Sequence, residues 1–275
     1  MTLGVMAEVQ NTCSQRRVLT EEELLKLSRQ NSLLVSSFNA EKLEREAKRN
    51  WDLFYKRNSI NFFKDRHWTV REFDELLGNG IQGQHLRLLE IGCGVGNFIF
   101  PLFEDGGNFY VYACDISPRA VEYVKLNSKY DEDRMTAFQA DATTDDIVKH
   151  VPSCSLDIVT LIFVLSSIHP EKHRKVLENA FTVLKPEGVM LFRDYGLYDM
   201  AQLRFKPGQK ISENFYARQD GTRAYYFDRE DFVTLVKSVG FSVISCEYVF
   251  RRTTNIKEGL DVRRVFLQAK LSRAK

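Results

Sequence analysis

The segment Leu88-Leu89-Glu90-Ile91-Gly92-Cys93-Gly94-Val95-Gly96-Asn97 constrains this chain more than any other feature of it. An apolar run ends in three alternate glycines and gives way to a helical pattern over Asn97 to Phe103. Glycine is needed where the backbone turns sharply and where a ligand lies close against it. A strand, a glycine turn and a helix in that order belong to an open α/β sheet, whose ligands bind beyond the carboxyl ends of the strands. Two phosphate-binding loops are excluded. The dinucleotide fingerprint requires its third glycine at position 97, where Asn stands, and the P-loop requires Lys followed by Ser or Thr, which the segment lacks.

The pattern downstream supports that architecture. Tyr110 to Cys114, Thr136 to Gln139, Leu156 to Val164 and Val189 to Arg193 read as strands, the Leu156 run being apolar enough for burial on both faces. Pro118 to Asn127, His173 to Leu184 and Phe232 to Val239 read as the helices between and after them. Phe241 to Phe250 and Arg263 to Lys270 have no helix between them and read as an antiparallel pair at the sheet edge. Upstream, Glu21 to Asn50 reads as helix, with Thr20 and Glu23 as a capping box, and Asn39 as the cap of a second helix from Ala40 to Tyr55. The expected organisation is a disordered segment over 1–19, a helical region over 20–80, and an α/β domain over 81–275 with an insertion at about 195–229. Both irregular stretches are expected to cover the carboxyl ends of the strands.

Acidic residues mark the strand ends in order: Glu90, Asp115, Asp141, and Asp157 at the start of the fourth strand. A carboxylate at Asp115 can accept from both hydroxyls of a ribose, as at the matching point of dinucleotide folds. The glycine and acid pattern resembles motif I and its companions in class I S-adenosylmethionine-dependent methyltransferases. The resemblance implies a Rossmann-like, seven-stranded, mostly parallel sheet with an antiparallel edge hairpin, plus the N-terminal helical extension. It implies S-adenosylmethionine as cofactor and S-adenosylhomocysteine as product. Glu90, Gly92, Gly94, Gly96 and Asn97 would then form the cofactor turn, Asp115 would hold the ribose, Asp141 and Ala142 would face the adenine, and Ile162 would lie beside it.

Four further motifs are more specific. They are Trp51-Asp52-Leu53-Phe54-Tyr55-Lys56-Arg57-Asn58 with Asn61-Phe62-Phe63-Lys64-Asp65-Arg66-His67-Trp68; Phe163-Val164-Leu165-Ser166-Ser167-Ile168-His169-Pro170; Leu191 to Asp199; and Asn214 to Arg223. Together they resemble the tRNA 3-methylcytidine methyltransferases over roughly residues 20–270. One departure, Ile91 where an Ala can stand, is a packing change. The resemblance implies methylation of N3 of cytidine 32 in an anticodon loop. The length, and the absence of a presequence, resemble the short cytosolic member, which implies serine tRNAs, seryl-tRNA synthetase as partner, and a cytoplasmic, and also nuclear, location. It also implies that the face shared by Trp51 and Tyr55 closes over the cofactor.

The residues support a nucleic-acid substrate independently. Aromatics at 51, 54, 55, 62, 63, 68 and 73 interleave with Lys56, Arg57, Lys64 and Arg66, a mixture suited to unpaired bases and phosphates. Phe54 and Phe73 are expected in the core. N3 of neutral cytosine has a free lone pair, so no strong base is needed, and a carboxylate near the base would stabilise the cation that forms. Asp194 is placed for that role, with a turn paired to Arg193 as the alternative. His169 either lines the base pocket, with a catalytic part, or caps the next helix. Arg66 and His67 are read as tRNA contacts or as simple caps; Arg193, Arg204, Tyr216, Arg218 and Arg223 are read as substrate contacts.

Composition narrows the alternatives. Net charge is only +2, but basic residues dominate 42–71 and 251–275 while acids gather between Asp131 and Asp146, so a basic face is compatible with a near-neutral total. Five scattered cysteines without a C-x-x-C pair indicate reduced thiols. No apolar run is long enough for a membrane span. His169 and His173 are four apart but lack a companion Cys or Glu, so no metal is expected. The competing readings are a class I methyltransferase acting on protein or a small molecule, and a non-catalytic tRNA-binding adaptor with a degenerate cofactor pocket.

Overall fold

A computed structural model describes residues 11–77, 85–255 and 260–274. The first ten residues of the expected disordered segment, and the expected boundary at 80–81, lie outside these. Helix α1 (Glu21–Gln30) begins with the anticipated capping box: Thr20 Oγ1 accepts from Glu23 N–H at 3.3 Å, and the Glu23 carboxylate accepts from Thr20 N–H at 3.0 Å. The helix stops at Asn31 instead of running to residue 50. Ser36, not Asn39, caps α2 (Ser37–Arg45), and a break at Glu46 separates it from α3 (Ala47–Asn58). The Ser36 hydroxyl takes the Asn39 N–H, so Asn39 sits in the first turn of the helix and not at its cap. A short helix α4 (Thr69–Glu72) follows.

Among the described residues the large sheet contains eight strands. Strand β1 is Asn11–Cys13, so residues 11–13 of the expected disordered segment are ordered; β1 adds to the outer edge of the sheet by antiparallel pairing. Strands β2 (Leu86–Ile91), β3 (Phe109–Asp115), β4 (Met135–Gln139), β5 (Leu156–Ile162) and β6 (Leu184–Tyr195) form the parallel part. Helices α5 (Ile99–Glu104), α6 (Pro118–Leu126) and α7 (His173–Val183) belong to their connections. After β6 come α8 (Met200–Leu203), then β7 (Lys210–Ser212), β8 (Phe215–Ala217) and β9 (Arg223–Tyr225), which make a separate three-stranded antiparallel sheet. Helix α9 (Arg229–Val239), β10 (Phe241–Asn255) and β11 (Leu260–Arg273) complete the chain. The order across the large sheet is β1-β10-β11-β6-β5-β2-β3-β4, with β11 antiparallel to β6. The direction of strand progression reverses at β2, and a crevice opens there beyond the strand ends.

Two apolar layers hold the sheet. On one face Phe98, Ile99, Leu102, Val121 and Val124 pack with Phe73 and Leu76; on the other, Val176, Leu177, Ala180 and Val183 pack with Phe232 and Val236. Phe54 and Phe73 are both buried, as expected. Cys93 and Cys114 are buried free thiols.

The two irregular regions pack on each other. The Gln30 amide donates to the carbonyls of Gln202 (2.9 Å) and Phe205 (3.1 Å), and accepts from the Tyr216 hydroxyl at 3.0 Å. Val35 N–H donates to Lys210 O at 2.8 Å and Gly208 N–H to Leu33 O at 2.6 Å. Asn50 reaches Gly221 O at 3.0 Å. The helical region is further tied to the sheet by Arg193 of β6. Its guanidinium is 2% exposed, lies 3.4 Å from Glu72, donates to Gln268 at 3.0 Å, and sits 4.3 Å from the Trp68 ring centroid. Arg251 also pairs with Glu72. Arg193 is therefore a buried clamp and not a substrate contact. Removing one partner of such a pair leaves an uncompensated buried charge. Arg193→Ala is expected to lower unfolding free energy by about 3 kcal/mol, measured by urea denaturation; a loss under about 1 kcal/mol, the level of a surface pair, would show that the clamp does not hold the region.

Candidate active site

The glycine turn is built by the sheet beneath it. Gly92 and Cys93 donate their N–H groups to Cys114 O at 2.7 and 2.9 Å, which folds the chain back over the end of β3. Gly94 N–H donates to Asp115 Oδ2 at 2.9 Å, and Ser117 N–H to Oδ1 at 2.9 Å. Gly94 and Gly96 have φ of 55° and 90°, in the left-handed region that disfavours side chains. A Cβ on Gly94 would lie 2.9 Å from the Tyr55 hydroxyl, and one on Gly96 would lie 2.3 Å from the Phe100 ring. Gly94 thus keeps space beside the lid tyrosine, while Gly96 lets α5 pack against the turn.

A cavity opens above this turn. Gly92, Gly94, Asn97, Asp115, Asp141 and Ala142 line its floor; Trp51, Tyr55, Phe63 and Arg66 line the opposite wall; Phe163, Val164, Ser167 and Ile168 close one end. Asp141 Oδ1 accepts from the Thr143 N–H at 2.9 Å and from its hydroxyl at 2.7 Å, which orients the carboxylate. The Asn97 amide donates to Phe63 O (3.2 Å) and Asp65 (3.0 Å), so it pins the segment after α3 against the turn. The Trp51 and Tyr55 rings are 6.1 Å apart on one face of α3, consistent with their four-residue spacing.

These residues fit the nucleoside amino acid that the sequence implies. Each Asp115 oxygen keeps a further acceptor site beyond the amide it already takes. Burial pushes Asp115 up to about 6, against the opposing amides of Ser117, Gly94 and Ile116. Burial likewise holds Tyr55 well above its ordinary value, so its hydroxyl stays protonated and able to donate. Glu90, 1% exposed at the end of β2, has an Oε2 without a hydrogen-bond partner among the described residues. Burial raises its carboxyl well above the usual range, with Arg66 opposing.

Several expected roles change. Arg66 turns inward: it lines the cavity, donates to Ile162 O at 2.8 Å and lies 5.5 Å from the Phe163 ring centroid. Ile162 is a buried core residue, and its carbonyl serves Arg66. Glu90 and Gly96 are not among the residues that line the cavity: Glu90 is buried, and Gly96 packs against Phe100. His67 faces Asp105 at 3.3 Å and Glu104 at 3.6 Å, an acidic spot unsuited to phosphate. Tyr216 is 1% exposed, stacked on Phe205 with centroids 4.6 Å apart, and cannot receive a base. Asp157 lies at the opposite end of the sheet, where it takes Arg87 N–H (2.8 Å) and Lys185 (2.7 Å).

Asp194 is fully buried, accepts from Ser166 N–H and Tyr195 N–H at 2.9 Å each, and is pushed up to about 6 by burial. His169 caps the turn at Pro170–Lys172, accepting from Glu171 N–H at 3.4 Å. His173, its partner in spacing, is buried and shares a 3.0 Å hydrogen bond with Ile168 O. Arg204 is exposed, and Arg218 lies 5.5 Å from the Tyr195 ring centroid. Arg223 lines the cavity, paired with Glu44. Sequence reasoning missed Glu44, Lys172, Arg45 and Lys48, all at the cavity. For Glu44, Arg45 and Lys48 the signal was the basic 42–71 segment, but nothing in its charge told which members turn inward; Lys172 carried no signal. Among the described residues no helix is long and apolar enough to cross a membrane, and no group of three or more His, Cys, Asp or Glu is arranged for a metal.

Fold and site together define an S-adenosylmethionine-dependent methyltransferase. A methyltransferase domain family matches residues 70–246. The fold is shared with a SAM-dependent methyltransferase of Anabaena variabilis (14% identity, TM-score 0.60, 82% of this chain and 94% of the other). It is shared also with the N-methyltransferase NodS of Bradyrhizobium japonicum, solved with S-adenosylhomocysteine (15% identity, TM-score 0.53, 85% and 99%). The chain is 57% identical to tRNA N(3)-cytidine methyltransferase METTL6 of Homo sapiens over 96% of its length and 93% of the relative's. It is 43% identical to tRNA N(3)-methylcytidine methyltransferase trm141 of Schizosaccharomyces pombe, over 85% of this chain and 95% of that protein. The chain belongs to the tRNA N(3)-cytidine methyltransferase family.

The Asp115 arrangement gives a pH dependence. The carboxylate is ionised above about 6 and neutral below it, and only the ionised form is a strong acceptor for ligand hydroxyls. Affinity for S-adenosylhomocysteine, by calorimetry, should therefore fall as pH drops through about 6. The sign for stability is opposite. A carboxyl raised by burial favours the fold most below its unfolded value, and this contribution is lost as pH rises through about 6. Asp115→Asn should weaken binding by about 1.5–3 kcal/mol at neutral pH and flatten the profile; a variant with unchanged affinity would remove Asp115 from the site.

Proposed function

We propose that this enzyme transfers a methyl group to N3 of cytidine 32 in the anticodon loop of serine tRNAs, in the cytoplasm, alongside seryl-tRNA synthetase. That it is a tRNA (cytidine-N3-)-methyltransferase rests on family membership along almost the whole chain. The observation that carries the reading is the pairing of that identity with an intact cofactor turn, where a side chain on Gly94 would crowd Tyr55. A degenerate, non-catalytic pocket would have no reason to keep this space open. The position in the loop, the choice of serine tRNAs, the synthetase and the location follow from the family resemblance alone.

S-adenosylmethionine supplies a methyl group activated by a sulfonium, so the protein's main task is to align donor and acceptor. Trp51 and Tyr55 would cover the donor; Asp115 and Asp141 would orient its sugar and base. Phe163 and Ser167 close one end of the cavity, and a cytosine ring entering there would lie against the Phe163 face. The attacking lone pair is present in the neutral base, so no residue needs to remove a proton first. Asp194 lies behind that end, hydrogen-bonded to Ser166 N–H. Its field would stabilise the ring cation as it forms, without touching the base. The basic rim, with Arg45 and Lys48 exposed at the mouth, would meet the loop phosphates.

Mass spectrometry of nucleosides from serine tRNA transcripts incubated with the enzyme and S-adenosylmethionine should show 3-methylcytidine at position 32, absent from transcripts with that base changed. A tRNA-holding partner raises effective concentration, so added seryl-tRNA synthetase should increase the rate by about tenfold or more. Full activity of the isolated chain, unmoved by the synthetase, would refute the partnership; methyl transfer to another nucleotide would refute the site.

A further inference from the structure

Lys172 and Arg223 both line the cavity, and both are neutralised by one carboxylate, that of Glu44 on α2. The two cations stand on firm supports. Arg223 belongs to β9, is 5% exposed and lies 5.5 Å from the Phe215 ring centroid. Lys172 ends the turn capped by His169, and its N–H donates to His169 O at 2.8 Å. Glu44 comes from a different part of the chain. Among the described residues, α2 has no buried side chain of its own. Its neighbours in the chain are held to the insertion by short polar contacts at Val35 and Asn50.

A guanidinium and an ammonium converging on one oxyanion are the usual donors for a phosphate, and a carboxylate offers the same acceptor geometry with less charge. Burial pushes the Glu44 carboxyl up, but hydrogen bonds and attraction from Lys172 and Arg223 bring it below its ordinary value, so it is ionised. Resting on the RNA reading above, we propose that Lys172 and Arg223 form a subsite for an RNA backbone phosphate next to the target nucleotide, and that Glu44 occupies this subsite in the free enzyme. RNA entry then exchanges one anion for another. The phosphate takes both cations, Glu44 is released, and α2 moves away from the mouth while α3 keeps Trp51 and Tyr55 over the cofactor. An anion already in the subsite lowers apparent affinity by the fraction of molecules in which the subsite is closed. It also gives selectivity, because an acceptor without a correctly spaced phosphate cannot dislodge Glu44.

The test uses the full chain with S-adenosylhomocysteine and serine tRNA transcripts, read by fluorescence anisotropy at fixed salt, with thermal melting as a fold check. Glu44→Gln keeps the shape and removes the charge, and should bind tRNA about three- to tenfold tighter. Lys172→Ala should bind about three- to tenfold weaker, and in the double variant the gain from Glu44→Gln should disappear. A folded Glu44→Gln that binds no tighter overturns the proposal. If that variant fails to fold, Lys172→Ala decides alone, and unchanged affinity overturns it. Wild-type enzyme that methylates no tRNA would overturn the RNA reading itself, and is recognised separately because it needs no variant.

Discussion

The hydrogen bonds between the glycine turn and the end of β3 are the constraint on which the rest of the site depends. Cys114 O takes two consecutive N–H groups from the turn, and Asp115 takes a third from Gly94. The backbone can accept this curl only with glycine at positive φ. Once it is formed, the floor of the cavity, the direction of α5 and the placement of Asp115 are all fixed. Asp115 is thus both a brace for the turn and a wall of the cavity, and the enzyme cannot lose the one role without weakening the other.

The opposite wall is assembled from segments far apart in the chain. Residues 20–72 and the insertion after β6 are both irregular, yet they meet through Gln30 and Tyr216, Glu44 and Arg223, and Asn50 and Gly221. These contacts are polar and few, whereas the sheet is held by two continuous apolar layers. Gln30 and Tyr216 are buried, but the Glu44–Arg223 pair lines the cavity and can be exchanged for contacts with a ligand, so movement with substrate is expected there. The sheet side has no such freedom.

What could be read in the sequence follows this division. Glycine spacing and strand-end acids reflect local backbone geometry, and Gly92, Gly94, Asp115 and Asp141 all reach the cavity. The two lid aromatics were legible because helix spacing puts Trp51 and Tyr55 on one face. The edge hairpin was legible because no helical pattern separates its strands. The failures share one cause. A basic or aromatic residue in a substrate motif looks the same whether it faces RNA or anchors the motif, and only tertiary packing distinguishes them. Arg193 and Tyr216 are anchors, and Arg66 turned inward to the cavity. Strand β1 was invisible because three residues carry no period, and its pairing comes entirely from the exposed edge of β10.

The charges around the cavity explain why such a site can do without a general base. Arg66 is set among Glu90 and Asp194, both buried, and Asp115 lies across the floor. Burial raises the Glu90 carboxyl well above the usual range, while Asp115 and Asp194, near 6, are ionised at neutral pH, as is Glu44. The Asp115 and Asp194 carboxylates thus lie with the Arg66 guanidinium at the inner part of the site, while Arg45, Lys48, Lys172 and Arg223 gather with Glu44 elsewhere along the cavity. Methylating a neutral cytosine moves a positive charge from one end of the cavity to the other without changing the total. Carboxylates already held in place by backbone amides need little reorganisation during such a transfer. On the proposed reading, Asp194 behind the base and Asp115 at the glycine turn are the two carboxylates held in this way.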